Sequence, residues 1–167
     1  MAGLARERAV TRPGRLMRLA ILAGRILLGV VFIVAAGPKI ADPPAFAHMI
    51  ANYKLFPAAL IHPAALVLPW VEMFSGIALV VGVFWKTAGR LVAALLVVFL
   101  VAIGTNLARD HAVQCGCFDV HGPAKTHAEL IGEMRMVLLR DVGLLAVAAF
   151  ALIAGNSEKT ARGRGSR

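Results

Sequence analysis

The chain has 167 residues, of which 59% are hydrophobic and only 16% are charged, and its formal net charge is +9. Water-soluble domains contain about 45–50% apolar and about 25% charged residues, so this composition excludes a soluble enzyme, a disordered tail and a disulfide-dense secreted scaffold. Several apolar runs reach the roughly 20 residues that a membrane-spanning helix needs, and we interpret the chain as a polytopic membrane protein.

The N-terminal region predicts a basic tail followed by a membrane span. Residues 1–15 form the tail, and the first span covers about residues 16–37 with a single charge, Arg25. We expect this span to end at Gly37-Pro38, because this residue pair is typical of turns and loops. The apolar run is longer than the 7–15 residues of a signal-peptide core, so it is interpreted as a retained signal anchor.

A short helix is predicted between the first two spans. Asp42 is a residue type that caps helix N-termini, and the two prolines that follow it suit a first helical turn. Phe46, Met49 and Ile50 would then share one apolar face. We expect this helix to lie on the outer leaflet of the membrane.

Three further spans are predicted, at about residues 58–83, 88–107 and 131–154. The second of the four spans contains two prolines, which membrane helices tolerate when neighbouring groups satisfy the freed carbonyls. The capping-box pattern Thr126-x-x-Glu129 predicts the start of the last helix. An even number of spans with short connections favours an all-α, antiparallel four-helix transmembrane bundle over residues 16–155. Residues 156–167 are expected to form a basic C-terminal tail.

The basic residues are distributed asymmetrically between the two sides of this bundle. Eleven fall on the side of the termini: Arg6, Arg8, Arg12, Arg15, Arg18, Lys86, Arg90, Lys159, Arg162, Arg164 and Arg167. Only four fall on the opposite side: Lys39, Lys54, Arg109 and Lys125. This positive-inside bias predicts that both termini lie in the cytoplasm. No recognition pattern accompanies the basic residues, so the expected partner is the lipid bilayer and not nucleic acid.

The only two cysteines, Cys115 and Cys117, lie in the connection after the third span, on the predicted outer face. Disulfides persist outside the cytoplasm, and a bend at the intervening glycine brings the two sulfurs towards bonding distance. Strained, exposed disulfides are typical of redox-active pairs, so redox exchange is the preferred hypothesis. A zinc site with His111 and His121, a Cu(I) site at the two thiolates and an inert pair stay open as alternatives.

Several polar side chains are expected within the spans or at their outer ends: Arg25, Glu72, Asn106, Arg140 and Asp141. Charged groups in a membrane normally face the bundle interior and are paired. A rise of 1.5 Å per residue places Glu72 and the Arg140-Asp141 pair at similar depths, and the long side chain of Arg25 could extend to Glu72. These residues either fix helix register as ion pairs, or they move protons or polarise a quinone carbonyl.

Several motifs resemble a known family of membrane proteins. Three segments are similar to the DoxX-like proteins: Arg25-x-x-x-Gly29, Tyr53-Lys54-Leu55-Phe56-Pro57 and Leu68-Pro69-Trp70-Val71-Glu72. Three more narrow the resemblance to the methylamine-utilisation MauE branch: Asn106-Leu107-Ala108-Arg109, Cys115-Gly116-Cys117-Phe118 and Arg140-Asp141. The resemblance implies a four-helix protein of the bacterial inner membrane that acts on thiols outside the cytoplasm with a thioredoxin-like partner. In this branch that role is disulfide formation or maturation of a periplasmic amine dehydrogenase subunit.

Residues and resemblance together predict a membrane thiol–disulfide oxidoreductase. Cys115 and Cys117 would exchange a disulfide with a thioredoxin-fold partner and pass electrons to or from a membrane carrier, most simply a quinone. Five residues form the expected quinone or proton site: Arg25, Glu72, Asn106, Arg140 and Asp141. The alternatives are a non-catalytic anchor or scaffold for a redox complex and a metal-handling protein. We expect no covalently bound cofactor and assign no residues to a metal site. The sequence is also compatible with a homo- or hetero-oligomer.

Overall fold

The computed structural model describes residues 14–113 and 126–164, with side chains described up to residue 155. This part of the chain forms five helices: α1 (Arg15–Ala41), α2 (Pro43–Asn52), α3 (Ala58–Val81), α4 (Trp85–Ala108) and α5 (His127–Arg164). Four of them, all except α2, are long and apolar enough to cross a membrane. The prediction of an all-helical protein with four candidate membrane spans is confirmed for the described residues.

Helix α1 continues beyond its predicted end. Gly37 and Pro38 lie inside the helix, which ends at Ala41, so the expectation that this pair ends the first span is wrong. Proline removes one N–H donor, and membrane helices tolerate that loss where packing satisfies the freed group. The helical pattern is still followed after the proline, since the Asp42 N–H donates to the Pro38 carbonyl at 3.2 Å. The additional turn carries Lys39 into the interior of the bundle.

Helix α2 begins at the predicted position and packs against α3. The Asp42 Oδ1 accepts a hydrogen bond from the Ala45 N–H at 2.9 Å, which confirms the predicted cap. Phe46, Met49 and Ile50 are buried in a cluster with residues of α3. The apolar face that was expected at the outer leaflet is therefore covered by the neighbouring helix.

Helices α1 and α3 approach each other at two glycines. A Cβ atom on Gly76 would lie 2.7 Å from the Gly29 carbonyl oxygen, and the reverse distance is the same. Small residues allow this close backbone contact between membrane helices. Helix α3 ends at Val81, and the next residue, Gly82, has a left-handed φ of 89°, a conformation that glycine adopts without strain.

Helices α4 and α5 complete the bundle. Seven buried residues form a core shared by α1, α3, α4 and α5: Leu28, Phe32, Leu79, Ala88, Val92, Leu96 and Ala148. Helix α5 is preceded by the predicted capping box, because the Thr126 N–H donates to Glu129 Oε2 at 2.8 Å. It then continues to Arg164, through most of the region that was predicted as a tail. Large apolar side chains such as Phe74, Val101 and Met136 are exposed on the outside of the bundle, as a lipid environment permits.

Candidate functional site

Helices α1 and α3 bring a buried ion pair into the core. Lys39 Nζ donates to both carboxylate oxygens of Glu72, at 2.9 and 2.8 Å, and the two side chains are only 3% and 2% exposed. Sequence analysis placed Lys39 in the outer connection and expected Arg25 to reach Glu72. Both expectations are wrong, because the last turn of α1 carries Lys39 alongside Glu72.

A second ion pair lies on α5 beside the first. Arg140 Nε and Nη2 donate to Asp141 Oδ1 at 2.9 and 2.8 Å. Asp141 is 2% exposed, whereas the Arg140 side chain is 32% exposed. Both residues line a cavity of about 30 Å³ together with Lys39 and Glu72. We call Lys39, Glu72, Arg140 and Asp141 the ion-pair cluster; it combines two cations and two anions.

Arg25, on α1, lies apart from the ion-pair cluster and contacts the turn between α3 and α4. Its Cζ is 5.8 Å from the centroid of the Trp85 ring. Its Nη2 would lie 2.9 Å from a Cβ atom on Gly82. The Nε atom of Arg25 is buried and has no hydrogen-bond partner among the described residues. The contacts of Arg25 therefore connect α1 to this turn and do not involve Glu72.

Asn106 connects the end of α4 to the turn between α2 and α3. The side chain is 1% exposed, and its Nδ2 donates to the Ala102 carbonyl at 2.9 Å and the Tyr53 carbonyl at 3.3 Å. His111 Nε2 lies 3.2 Å from the Asn52 carbonyl oxygen in the same region. Asn106 is therefore bound to neighbouring backbone and is not part of the ion-pair cluster.

The two cysteines lie outside the described residues. Cys115, Cys117 and His121 all belong to segment 114–125, so the geometry of the proposed disulfide and of the alternative zinc site is not described. Within residues 14–113 and 126–155, no three His, Cys, Asp or Glu side chains gather in an arrangement that could hold a metal ion.

The described residues that flank segment 114–125 lie close to each other. His127 Nε2 lies 3.2 Å from the Asp110 carbonyl oxygen and 3.9 Å from the Asp110 carboxylate. Val113, immediately before the segment, is buried against Ile103 and Met134. The described residues on either side of the segment that carries both cysteines therefore lie at the same end of the bundle, beside the end of α4 and the start of α5.

Sequence analysis missed a cavity beside the ion-pair cluster. It lies between α2, α3 and α4, has a volume of about 70 Å³ and is bordered by Phe46, Tyr53, Phe56, Ala64, Phe99 and Ala102. We call this space the aromatic chamber. Lys39 Nζ lies 5.2 Å from the ring centroids of both Phe46 and Phe99. The available signal was the grouping of aromatic residues around the α2 to α3 connection in a chain that is only 7% aromatic.

Comparison with known proteins gives a consistent family assignment. The family model described as "Methylamine utilisation protein MauE" matches residues 17–154, a region that contains the ion-pair cluster, the aromatic chamber and both cysteines. No solved structure gives a significant match.

Three curated relatives carry the same description. The chain is 33% identical over 138 residues to the methylamine utilization protein MauE of Methylophilus methylotrophus, covering 81% of this chain and 72% of that protein. It is 37% identical over 129 residues to the protein from Methylorubrum extorquens, covering 77% and 65%. The match to the protein from Paracoccus denitrificans is 36% identical over 95 residues and covers 56% and 51%. The chain therefore spans between about half and three quarters of the length of these relatives.

Proposed function

The chain belongs to the family of methylamine utilisation protein MauE, and we propose that it is a membrane thiol–disulfide oxidoreductase that serves methylamine utilisation. In this proposal Cys115 and Cys117 form and break a disulfide outside the cytoplasm. They exchange it with a thioredoxin-fold partner, in the maturation of an extracytoplasmic protein such as amine dehydrogenase. The wider similarity to DoxX-like proteins, a quinone as the electron carrier and assembly into an oligomer stay predictions.

We propose an antiparallel bundle in the bacterial inner membrane with both termini in the cytoplasm. Contacts along α1 and α3 support the antiparallel arrangement, because Arg25 contacts Gly82 whereas Lys39, later in α1, contacts Glu72, earlier in α3. The charge distribution supports the orientation. With Lys39 buried in the core, eleven basic residues on the side of the termini face only three on the other side.

The observation that carries the proposal is the position of the described residues that flank segment 114–125. Asp110, before the segment, contacts His127, after it, at one end of the bundle. Cys115 follows the buried Val113 by two residues in the sequence. This attachment supports a redox pair presented beside the membrane to a partner in the aqueous phase, since thiol–disulfide exchange needs an accessible thiolate.

The proposed reaction has two steps, one with the partner protein and one with the quinone, and each step transfers two electrons and two protons. In the oxidising direction, the Cys115–Cys117 disulfide is reduced to two thiols while two thiols of the partner become a disulfide. The Cys115 and Cys117 thiols then return to the disulfide by passing two electrons and two protons to a quinone, which becomes a quinol. The reverse sequence consumes quinol and reduces a disulfide of the partner.

A non-catalytic membrane anchor for a redox complex is the second candidate. The pairing within the ion-pair cluster favours it, because both Glu72 and Asp141 already have a cationic partner, as expected of residues that only fix helix register. A metal-handling role for the cysteine pair is a third candidate. Stoichiometric zinc or copper in elemental analysis of the purified protein would support that third role.

Trapping of the partner tests the proposed function. We expect Cys115→Ser or Cys117→Ser to accumulate a mixed disulfide with a thioredoxin-fold protein, because the remaining thiol lacks the second thiol that normally resolves the intermediate. Non-reducing electrophoresis followed by mass spectrometry identifies the adduct. The double variant Cys115→Ser/Cys117→Ser is the control and should trap nothing.

Growth on methylamine separates the oxidoreductase from the anchor. We expect the double cysteine variant to accumulate normally in the membrane and to lose growth on methylamine. Growth equal to the parent protein, together with a permanently reduced cysteine pair in cells, would overturn the proposal in favour of the anchor.

A further inference from the structure

Arg25 is a cation without an anionic partner among the residues that the structure describes. Its Nε atom is buried and makes no hydrogen bond to them. A guanidinium group has five N–H donors and keeps its charge in proteins, so its removal from water without a counter-charge is costly. The Trp85 ring, 5.8 Å from Cζ, offers a π face and no oxygen acceptor. An anion with oxygen acceptors would satisfy this side chain.

The outer nitrogens of Arg25 lie over the turn between α3 and α4. A Cβ atom on Gly82 would lie 2.9 Å from Nη2 and 3.2 Å from Nη1, so the guanidinium occupies the place that a side chain would take at this glycine. Arg25 as a whole is partly exposed, although Nε is buried. The two Nη atoms are therefore the donors that an anion can reach.

The surroundings of this guanidinium are positively charged. Lys86 Nζ lies 5.6 Å from the centroid of the same Trp85 ring and donates to the Gly155 carbonyl at 2.8 Å. Arg90 follows Lys86 by four positions on α4 and is exposed. The carboxylates whose side chains the structure describes lie in the ion-pair cluster or towards the opposite end of the bundle: Asp42, Glu72, Asp110, Glu129, Glu133 and Asp141. None of them offsets the charge of Arg25 and Lys86.

Apolar side chains around the turn indicate which anion fits. Leu22 and Ile26 are exposed on α1 on either side of Arg25 in the sequence, and Phe84 in the turn is 83% exposed. A free inorganic anion would leave these side chains uncovered, whereas the acyl chains of a lipid would cover them. Trp85 fits the same level of the membrane, because tryptophan is enriched where the headgroups meet the hydrocarbon.

We propose that the end of the bundle that carries the termini binds an anionic phospholipid. Its phosphate accepts hydrogen bonds from Arg25 and interacts with the charge of Lys86, and its acyl chains lie against Leu22, Ile26 and Phe84. Arginine suits this role, because its planar guanidinium matches a phosphate with two parallel hydrogen bonds. The site is separate from the cysteine pair and from the ion-pair cluster, so it is a binding function in addition to thiol exchange.

Quenching of Trp85 by brominated lipids tests the site. Trp70→Phe leaves Trp85 as the only tryptophan, and the full-length protein is placed in phosphatidylcholine vesicles that contain brominated phosphatidylglycerol or brominated phosphatidylcholine. We expect phosphatidylglycerol to bind beside Trp85 at least about fivefold more tightly, because choline offsets the phosphate charge and glycerol does not. Equal binding of the two lipids would overturn the proposal.

Variants in the same background identify the ligand. Arg25→Gln should bring the two lipids to within about twofold of each other, because it removes the proposed phosphate donor. The control Arg15→Gln removes the same charge from the same helix at an exposed position, about 15 Å along the axis from Arg25, and should keep the preference. Equal losses in both variants would mean that general charge attracts the lipid and would overturn the site. If Arg25→Gln does not fold, Lys86→Gln decides against the same control, because Lys86 is the second cation beside Trp85.

Inorganic phosphate distinguishes a lipid headgroup from a free anion. We expect the preference for phosphatidylglycerol to persist when phosphate replaces chloride at equal ionic strength, because free phosphate gains nothing from the apolar rim. Loss of the preference in phosphate buffer would show that the site takes the free anion and that the lipid assignment is wrong. None of these measurements depends on the cysteines, so their outcome leaves the proposed thiol exchange to its own test.

Discussion

Lys39 lies two positions before the end of α1 and is nevertheless almost fully buried. The residues around it, Gly37, Pro38 and Asp42, are typical of turns, so local sequence favoured an early helix end. In the structure α1 continues for one more turn, and in this turn Lys39 forms an ion pair with Glu72 of α3. Such a partner is invisible in the sequence, because the sequence does not state which faces of α1 and α3 meet.

Local polar contacts, by contrast, were predictable. Asp42 caps α2, and Thr126 and Glu129 form the capping box of α5, as their spacing indicated. These hydrogen bonds join residues three positions apart, so the chain itself brings donor and acceptor together. Sequence patterns therefore identify helix starts better than contacts between helices.

Removal of the Lys39 ammonium group should destabilise the protein strongly. We expect Lys39→Met to lower the free energy of unfolding by about 3–5 kcal/mol, because the Glu72 carboxylate is left buried without its partner. Lys39→Met/Glu72→Met should recover most of the loss. The measurements are the thermal unfolding midpoint in detergent and the amount of protein in the membrane. The control, Lys54→Met, changes an exposed lysine; an equal midpoint for Lys39→Met and this control would contradict the prediction.

At the scale of the helices, the composition of α1 and α3 predicted their existence but not their contact. Helix α1 contains three glycines and α3 contains one, and the sequence does not state which of them face a neighbouring helix and which face lipid. The structure selects Gly29 and Gly76, which touch across the two helices. The selection depends on helix rotation, which uniformly apolar surfaces in lipid specify weakly.

Substitution of Gly76 by alanine should force α1 and α3 apart. The new Cβ would lie 2.7 Å from the Gly29 carbonyl oxygen and 2.8 Å from Ile33 Cγ1, so we expect a loss of about 1–3 kcal/mol. Thermal unfolding in detergent measures the change. Gly104→Ala and Gly143→Ala are matched controls, because a Cβ atom at either site meets nothing within 4 Å. A midpoint for Gly76→Ala at or above those of the controls would show that the two helices are not in backbone contact.

At the scale of the whole molecule, hydropathy was sufficient to predict four candidate membrane helices. The candidate site was only partly predictable. Glu72, Arg140 and Asp141 were expected at one depth and line one cavity, because depth follows from helix rise alone. Arg25 lies near Trp85 instead. Its long side chain made a contact with Glu72 possible, but length alone does not determine which partner it contacts. The positions of the cysteines relative to the membrane stay predictions.

Labelling of the cysteines from outside intact spheroplasts tests the predicted orientation. We expect a membrane-impermeant maleimide to modify Cys115 and Cys117 after mild reduction, because the charge bias places their segment outside the cytoplasm. A cysteine at Ser157 in the cysteine-free double variant is the control and should react only after the membrane is made permeable. Labelling of Ser157→Cys in intact spheroplasts, with the native pair protected, would reverse the orientation.

The balance of the ion-pair cluster has a consequence for energy coupling. Lys39 and Arg140 offset Glu72 and Asp141, so the cluster has no net charge while both pairs are intact. A transmembrane voltage does about 2.3 kcal/mol of work per 100 mV on one elementary charge that crosses the whole membrane. The paired cluster therefore carries no net charge on which the voltage can act. Protonation of either carboxylate would add one positive charge, so the fraction of protonated clusters would depend on the transmembrane voltage.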